Sequence, residues 1–290
     1  MARESRGAAV PRRVAASVLA VVVVLLAPLS LVTGWAWSQI SDTDRFVATY
    51  GSLSGSPEAR ALISDRLTTE ITARLGVIGR LPATREVITR TTDAVLTSEA
   101  GEAAWRTSLR RAHLRLNALL ADKPGAVEVN DGALQIQLGP FADAVKQRLV
   151  NAGVPFASLL PEVDAAITVA QLNPDNVAKA RLAYRVLDAT TPWLSWLALL
   201  AGVATVLLWP TKRGGLILAG CAAMLGAGVL AVALIQTAAI VPTLVAANLQ
   251  PIATLFVSTA FESFRSPALA LFLAGAATLF TGAMAEREQA

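Results

Sequence analysis

Four long stretches of this chain contain no Asp, Glu, Lys, Arg or His: Val14 to Val32, Trp193 to Trp209, Leu216 to about Ile235, and Ala268 to Ala285. A bilayer core of about 30 Å is crossed by about 20 apolar residues rising 1.5 Å each. The four stretches are of that size, so the sequence predicts four transmembrane helices. Composition agrees: 54% of the 290 residues are hydrophobic and 16% are charged, against about 25% charged in an average soluble domain. An ordinary soluble enzyme is thereby disfavoured. Trp35 and Trp37 follow the first stretch, and Trp193, Trp196 and Trp209 bracket the second. Indole rings favour the headgroup level, so these positions read as interface anchors.

The first stretch is preceded by Arg3, Arg6, Arg12 and Arg13, which suits either an anchor or a secretory signal. Its apolar run exceeds the ~7–15 residues of a signal core, and Ala36-Trp37-Ser38 is a poor small-x-small site because bulky Trp35 and Trp37 crowd it. An uncleaved anchor is expected. Lys212 and Arg213 lie in the short link after the second stretch, while Trp37 to Thr190 holds 17 basic and 17 acidic residues. Positive charge in short loops stays cytoplasmic. The resulting organisation is a cytoplasmic tail 1–13, helix 1 over 14–36, an extracytoplasmic domain 37–190, helix 2 over 191–209, a cytoplasmic link 210–215, helix 3 over 216–237, an outer amphipathic segment 238–266, helix 4 over 267–285, and a cytoplasmic tail 286–290. The expected location is the plasma membrane, with the N-terminus inside.

The segment 238–266 is apolar enough to compete as a fifth span. Gln250, Thr254, Ser258, Glu262 and Arg265, however, recur every three or four residues. They form one polar stripe, with Leu249, Ile252, Phe256 and Ala260 on another side, which is the pattern of an interfacial amphipathic helix. Pro242 and Pro251 also disturb a straight span. Four spans are favoured over five.

The domain between the first two spans reads as α+β and mostly helical. Ser41-Asp42-Thr43-Asp44 is a run of N-cap residues before a short helix to Tyr50. Ser56-Pro57-Glu58 combines a cap, a first-turn proline and an acid at the positive helix end. Ile63, Leu67, Ile71 and Leu75 then line one face. Further helices are expected over Thr84–Ser98, burying Val87, Ile88, Val95 and Thr91, and over Glu102–Leu120, burying Trp105, Leu109, Ala112, Leu116 and Leu119. After Lys123-Pro124-Gly125 the apolar period changes to two. Asp131-Gly132 is placed to turn a hairpin that pairs Val129 with Leu134 and Val127 with Ile136. Pro140 to Ala152 reads as a helix with Phe141, Val145 and Leu149 inward, and Ile167 to Leu172 as a third strand. A helix starts at Asn173-Pro174-Asp175, with a break expected near Thr191-Pro192.

The net charge is +4, with a pI of about 9.7, but the balanced 37–190 region gives no basic face of the kind nucleic acid needs, and no nucleic-acid partner is expected. One cysteine, Cys221, and one histidine, His113, cannot build the usual His/Cys zinc cluster. There is no Gly-x-Ser-x-Gly elbow and no phosphate loop. No catalytic, cofactor-binding or metal residue is assigned, no cofactor is expected, and an enzyme is disfavoured. His113 reads as a surface or interhelix hydrogen-bonding residue rather than a catalyst. Asp42 and Asp44 read as helix caps rather than a cation site. Arg106, Arg110, Arg111 and Arg115 could meet anionic headgroups, but a salt-bridged face with Asp93, Glu99 and Glu102 is favoured. In helix 3, Ala219/Ala223 and Ala222/Gly226 have the small-xxx-small spacing that lets helices approach, within the bundle or in a homo-oligomer. Cys221 reads as an apolar filler there. The spans lack the ionisable residues that coupled transporters place near the midplane.

The segment Trp37-Ser38-Gln39-Ile40-Ser41-Asp42-Thr43-Asp44-Arg45-Phe46-Val47-Ala48-Thr49, placed directly after an N-terminal anchor, resembles a group of uncharacterised actinobacterial-type integral membrane proteins. The Trp105…His113 helix, the Gly132 turn followed by Gly139-Pro140, and three C-terminal spans are similar to that group over nearly the whole chain. The ratio of 21 Arg to 4 Lys and the alanine richness are compatible with a GC-rich genome. The resemblance implies the anchor–domain–three-span layout and brings no activity or site residue. The expected function is a non-enzymatic binding, structural or complex-supporting envelope component in contact with the lipid bilayer. A small transporter or channel subunit is the alternative, and an extracytoplasmic hydrolase comes last.

Overall fold

A computed structural model describes residues 4–122, 133–160, 165–171, 174–244 and 250–284. Four of its helices are long and apolar enough to cross a membrane. They are α1 (Glu4–Ser41), α7 (Pro174–Leu208), α8 (Lys212–Ile240) and α9 (Gln250–Met284). Between α1 and α7 lie α2 (Thr43–Tyr50), α3 (Pro57–Arg74), α4 (Pro82–Leu96), α5 (Glu99–Leu120), β1 (Ala133–Gln137), α6 (Gly139–Asn151) and β2 (Ala166–Gln171). Two compact units result: a helix bundle made of Met1–Trp37, Val186–Val241 and Ala260–Ala290, and a polar domain made of Ser38–Arg185 and Pro242–Thr259.

The polar domain is ordered by the signals its sequence carries. Asp42 caps α2, its Oδ1 accepting from the amides of Asp44 at 2.9 Å and Arg45 at 3.1 Å. Ser56 Oγ accepts from Ala59 N at 3.2 Å, with Pro57 in the first turn of α3. Ile63, Leu67 and Ile71 of α3, Ile88 and Val95 of α4, Leu109 of α5, and Phe141, Val145 and Leu149 of α6 are all essentially inaccessible. Trp105 adds its ring to this core, 6.5 Å from that of Phe141. Its indole N–H donates to Tyr50 O at 2.9 Å, so the large side chain is buried without an orphaned donor. In α4 Thr84 and Thr92 are buried, whereas Thr91 and Val87 are only half-buried. Ile88 and Val95 of the expected stripe are buried as read.

The expected strand at 134–138 is present as β1. Its partner among the described residues is β2, the segment read as a third strand, antiparallel with Ile136 opposite Ile167 and an irregularity between Leu134 and Gln135. The Asp131-Gly132 turn and the Val127/Val129 strand fall outside the described residues.

The break expected near Thr191-Pro192 is absent, and no boundary falls at 266/267 between the outer segment and the fourth span. α7 continues through Pro192, and α9 runs from Gln250 to Met284 through Pro267, joining the amphipathic segment to the fourth span as one helix. A proline removes one amide donor and crowds the preceding turn, but long helices with partners or apolar surroundings tolerate it. The polar stripe itself is present: Gln250, Thr254, Ser258, Glu262 and Arg265 are all exposed.

In the bundle, Ala20, Val23 and Ala27 of α1, Ala201 of α7 and Ala222 of α8 form a small-residue core, with Leu218 and Leu271 packed against it. Glycines set the closest approaches. A Cβ on Gly220 would lie 2.8 Å from Gly275 O, and one on Gly226 would lie 2.8 Å from Val24 O and 3.2 Å from Pro28 Cδ. Pro28 offers no amide to Val24 O, so α8 meets α1 where that carbonyl lacks its helical donor. Trp35 donates to Ser263 Oγ at 3.1 Å and meets the Phe264 ring edge-on at 5.6 Å, so this indole is tied into the bundle. Only 11% of the apolar window of α7, and likewise of α9, is buried inside the protein. Exposed Leu200, Leu207, Leu273 and Phe280 fit contact with lipid chains.

Gly226→Val should cost about 1–3 kcal/mol through overpacking, whereas Gly228→Val, whose Cβ would meet nothing within 4 Å, should be near neutral. Unfolding in mixed micelles followed by circular dichroism measures the difference. By the same readout Phe141→Ala should cost about 3–5 kcal/mol, the range for removing a fully buried aromatic ring.

Candidate functional site

Three places carry chemistry that the fold alone does not require. The first surrounds His113. Residues 38–50 bring the end of α1 and all of α2 beside α5. The imidazole lies there with 3% exposure, stacked on Phe46 at 4.3 Å between ring centroids. His113 Nε2 is 2.9 Å from Gln39 O, and Nδ1 is 3.0 Å from Thr43 Oγ1 and 3.5 Å from Asn117 Nδ2. A carbonyl only accepts, so Nε2 carries the hydrogen and the neutral ring accepts at Nδ1. Burial lowers the His113 pKa below its ordinary value, while the Gln39 hydrogen bond and the Asp42 charge pull it upward. With both nitrogens engaged, no lone pair is left for a substrate. His113 acts as an interhelix tie, consistent with its hydrogen-bonding reading and deeper than a surface residue would lie.

The neighbouring charges are arranged to match. Asp42 is spent on the α2 cap, whereas Asp44 pairs with Arg110 across 66 residues. Arg106 pairs with Glu102 one turn earlier. Asp93, expected to neutralise the arginine stripe, instead accepts from Ser64 Oγ at 2.6 Å. The stripe is therefore partly salt-bridged, with Asp44 in a role the sequence reading gave to other acids. These exposed pairs contribute little individually. No group of three or more His, Cys, Asp or Glu residues suited to a metal ion occurs among the described residues.

The second place was missed in the sequence. The turn joining α3 to α4 presents Val77 at 78%, Ile78 at 41% and Leu81 at 53% exposure. Its backbone is pinned. A Cβ on Gly79 would sit 2.0 Å from Thr72 O, so only glycine lets the turn lie against α3. The amides of Arg80 and Leu81 donate back to Val77 O and Ile78 O, each at 3.2 Å. Arg80 and Arg85 are exposed beside the apolar tip, and Arg74 pairs with Glu70 at 3.5 Å. The available signal was Gly76-Val77-Ile78-Gly79-Arg80-Leu81-Pro82, a glycine- and proline-bounded turn filled with large apolar residues where polar ones are usual.

The third place lies inside the helix bundle, where α1, α7, α8 and α9 leave a cavity of about 390 Å³. A larger groove on the outer side of α8 and α9, about 750 Å³, runs past Cys221, Gly228 and Phe272. The pairs read as small-xxx-small, Ala219/Ala223 and Ala222/Gly226, lie on the inner side of the bundle. Gly220 and Gly226 are used inside the bundle, and Cys221 and Gly228 face outward.

No family model matches the chain, and neither a curated protein nor a solved structure is similar to it.

A depressed imidazole pKa means that the folded state prefers the neutral ring. Stability should be full above about pH 6.5, the ordinary histidine value, and fall as pH drops through the lower folded value. His113→Gln should flatten this dependence. His113→Ala should cost about 1–3 kcal/mol by leaving Gln39 O unpaired. Denaturant unfolding at a series of pH values reads both effects.

Proposed function

We propose that this chain is a non-enzymatic membrane protein of the cell envelope whose polar domain, held on the extracytoplasmic side, docks onto another envelope component through the Val77–Leu81 tip. The single observation that carries the reading is that tip: three large apolar side chains held out by a backbone that is itself anchored. Exposing them costs solvation in a free domain, and such surfaces commonly mark interaction sites. Arg80 and Arg85 at the edge favour a partner that offers acidic groups around an apolar contact.

The topology follows from charge. Lys212 and Arg213 open α8 directly after the short turn that follows α7; by the positive-inside bias that end is cytoplasmic and the polar domain extracytoplasmic. An anchor, a domain and three further spans are also what the resemblance to uncharacterised actinobacterial-type integral membrane proteins implies. His113, bound at both nitrogens, supports a binding domain over a hydrolase. The lack of ionisable residues in the apolar stretches of α1, α7 and α8 leaves a coupled transporter without its usual proton or ion relay. Association through the outward face of α8 is a further means by which the protein would support a complex.

Two measurements test the proposal. Reporters fused after residues 120 and 250 should report the outside, and those after 212 and 290 the inside; the reverse pattern overturns the topology. A photo-crosslinking amino acid at Val77 should form a discrete adduct in intact cells, and the same probe at Val150, exposed elsewhere on the domain, should not. Equal labelling at both sites, or none at Val77, removes the tip as a docking surface.

A further inference from the structure

The cavity inside the helix bundle has a buried floor and an exposed rim. Val23 and Ala27 of α1, Ala219 of α8 and Gly275 of α9 are buried beneath it, whereas Leu199 and Val203 of α7 and Ala274 of α9 are exposed at its edge. It is therefore a lateral slot between α7 and α9, floored by α1 and α8. Its ~390 Å³ lies at the small end of the ~300–1,000 Å³ usual for ligand pockets.

The lining specifies what can enter. None of the residues around the slot is ionisable. The two hydroxyls are spent within their own helices, Ser30 Oγ donating to Ala27 O and Thr278 Oγ1 to Ala274 O, each at 2.8 Å. A polar head would find no free donor and no counter-charge. An apolar cavity of this kind excludes water and accepts apolar guests.

Two glycines at the slot distinguish packing from vacancy. A Cβ on Gly275 would meet Ala223 Cβ at 3.1 Å and Met224 Cγ at 3.0 Å, so that glycine serves close helix approach. A Cβ on Gly202 would meet nothing within 4 Å. Gly202 weakens the helix relative to alanine without bringing any helix nearer, and the room it leaves belongs to the slot. The cost of a void grows with its volume, and the rim opens among exposed apolar side chains, so hydrocarbon is the filling at hand.

We infer that the slot between α7 and α9 is a binding site for one hydrocarbon chain of a membrane lipid, entering past Leu199 and Val203 and lying on Val23, Ala27 and Ala219. The chain completes the packing of α7, and the headgroup stays outside the slot. This inference does not depend on the docking role of the Val77–Leu81 tip.

The full chain, reconstituted in bilayers containing phosphatidylglycerol with a diazirine near the end of one acyl chain, provides the test. After illumination, mass spectrometry maps the labelled residues. Wild-type protein should carry label on the floor residues Val23, Ala27 and Ala219 as well as on exposed Leu200 and Leu207. Gly202→Leu fills the slot without a backbone clash and should lose floor labelling while keeping the exposed labels. Gly228→Leu, equally unhindered but lining the outer groove, should keep both. A floor without label in the wild-type protein overturns the inference whether or not the variants fold. Floor labelling that persists in folded Gly202→Leu also overturns it.

Discussion

The helix bundle depends on how closely helix backbones can approach when no polar solvent is available to complete them. In apolar surroundings every carbonyl that loses its helical donor must be accommodated locally. Pro28 removes such a donor from Val24 O, and Gly226 is the residue whose missing side chain lets α8 reach that point. The Gly220–Gly275 contact performs the same service between α8 and α9. With Leu in these places the helices would stand further apart, and the Ala20, Val23, Ala27, Ala201 and Ala222 core would have nothing to close on. The slot beneath Leu199 is the complement of this economy. Small residues close the α8–α1 and α8–α9 contacts, and the side between α7 and α9 is left open.

The polar domain relies on a different device. Its aliphatic core is joined to polar groups that tie distant segments together: Trp105 to Tyr50 O, His113 to Gln39 O and Thr43, Arg110 to Asp44, and Arg181 to both Leu119 O and Asp122. Such ties fix geometry more than they add net stability, because each exchanges a hydrogen bond to water for one within the protein. They also bear on function. A turn can hold Val77, Ile78 and Leu81 toward solvent only if the helices on either side are already fixed. The core of α3 and α4 does this, through Ile63, Leu67, Ile71, Ile88 and Val95.

Much of the architecture was legible because it rests on local chemistry. Charge-free runs of bilayer length, the Ser56-Pro57-Glu58 start, the Asp42 cap and the four-residue spacing of Ile63, Leu67 and Ile71 all act within a few residues, and each was read in place. The errors arose where neighbours outvote local preference. Proline propensity marked a break at Thr191-Pro192, yet α7 continues, and the outer segment and the fourth span, read as two pieces, run on as one helix across 266/267. Thr92 is buried and Thr91 only half-buried because the partners of α4 select its inward face. The Val77–Leu81 tip went unread because a short apolar run in a turn looks like core until its exposure is known.

The sequence by itself determined that four segments are able to cross a membrane, that a mostly helical domain with a small sheet lies between the first two, and which faces of its helices are apolar. Length, periodicity and capping are properties of contiguous residues, so no fold is needed to see them. Only the tertiary structure decided that His113 is tied at both nitrogens, that Asp44 rather than Asp93 answers the arginine stripe, that Gly226 serves contact while Gly202 leaves room, and that Val77 faces solvent. Each of these depends on residues tens or hundreds of positions apart meeting in space, and one chain's local pattern carries no record of that meeting.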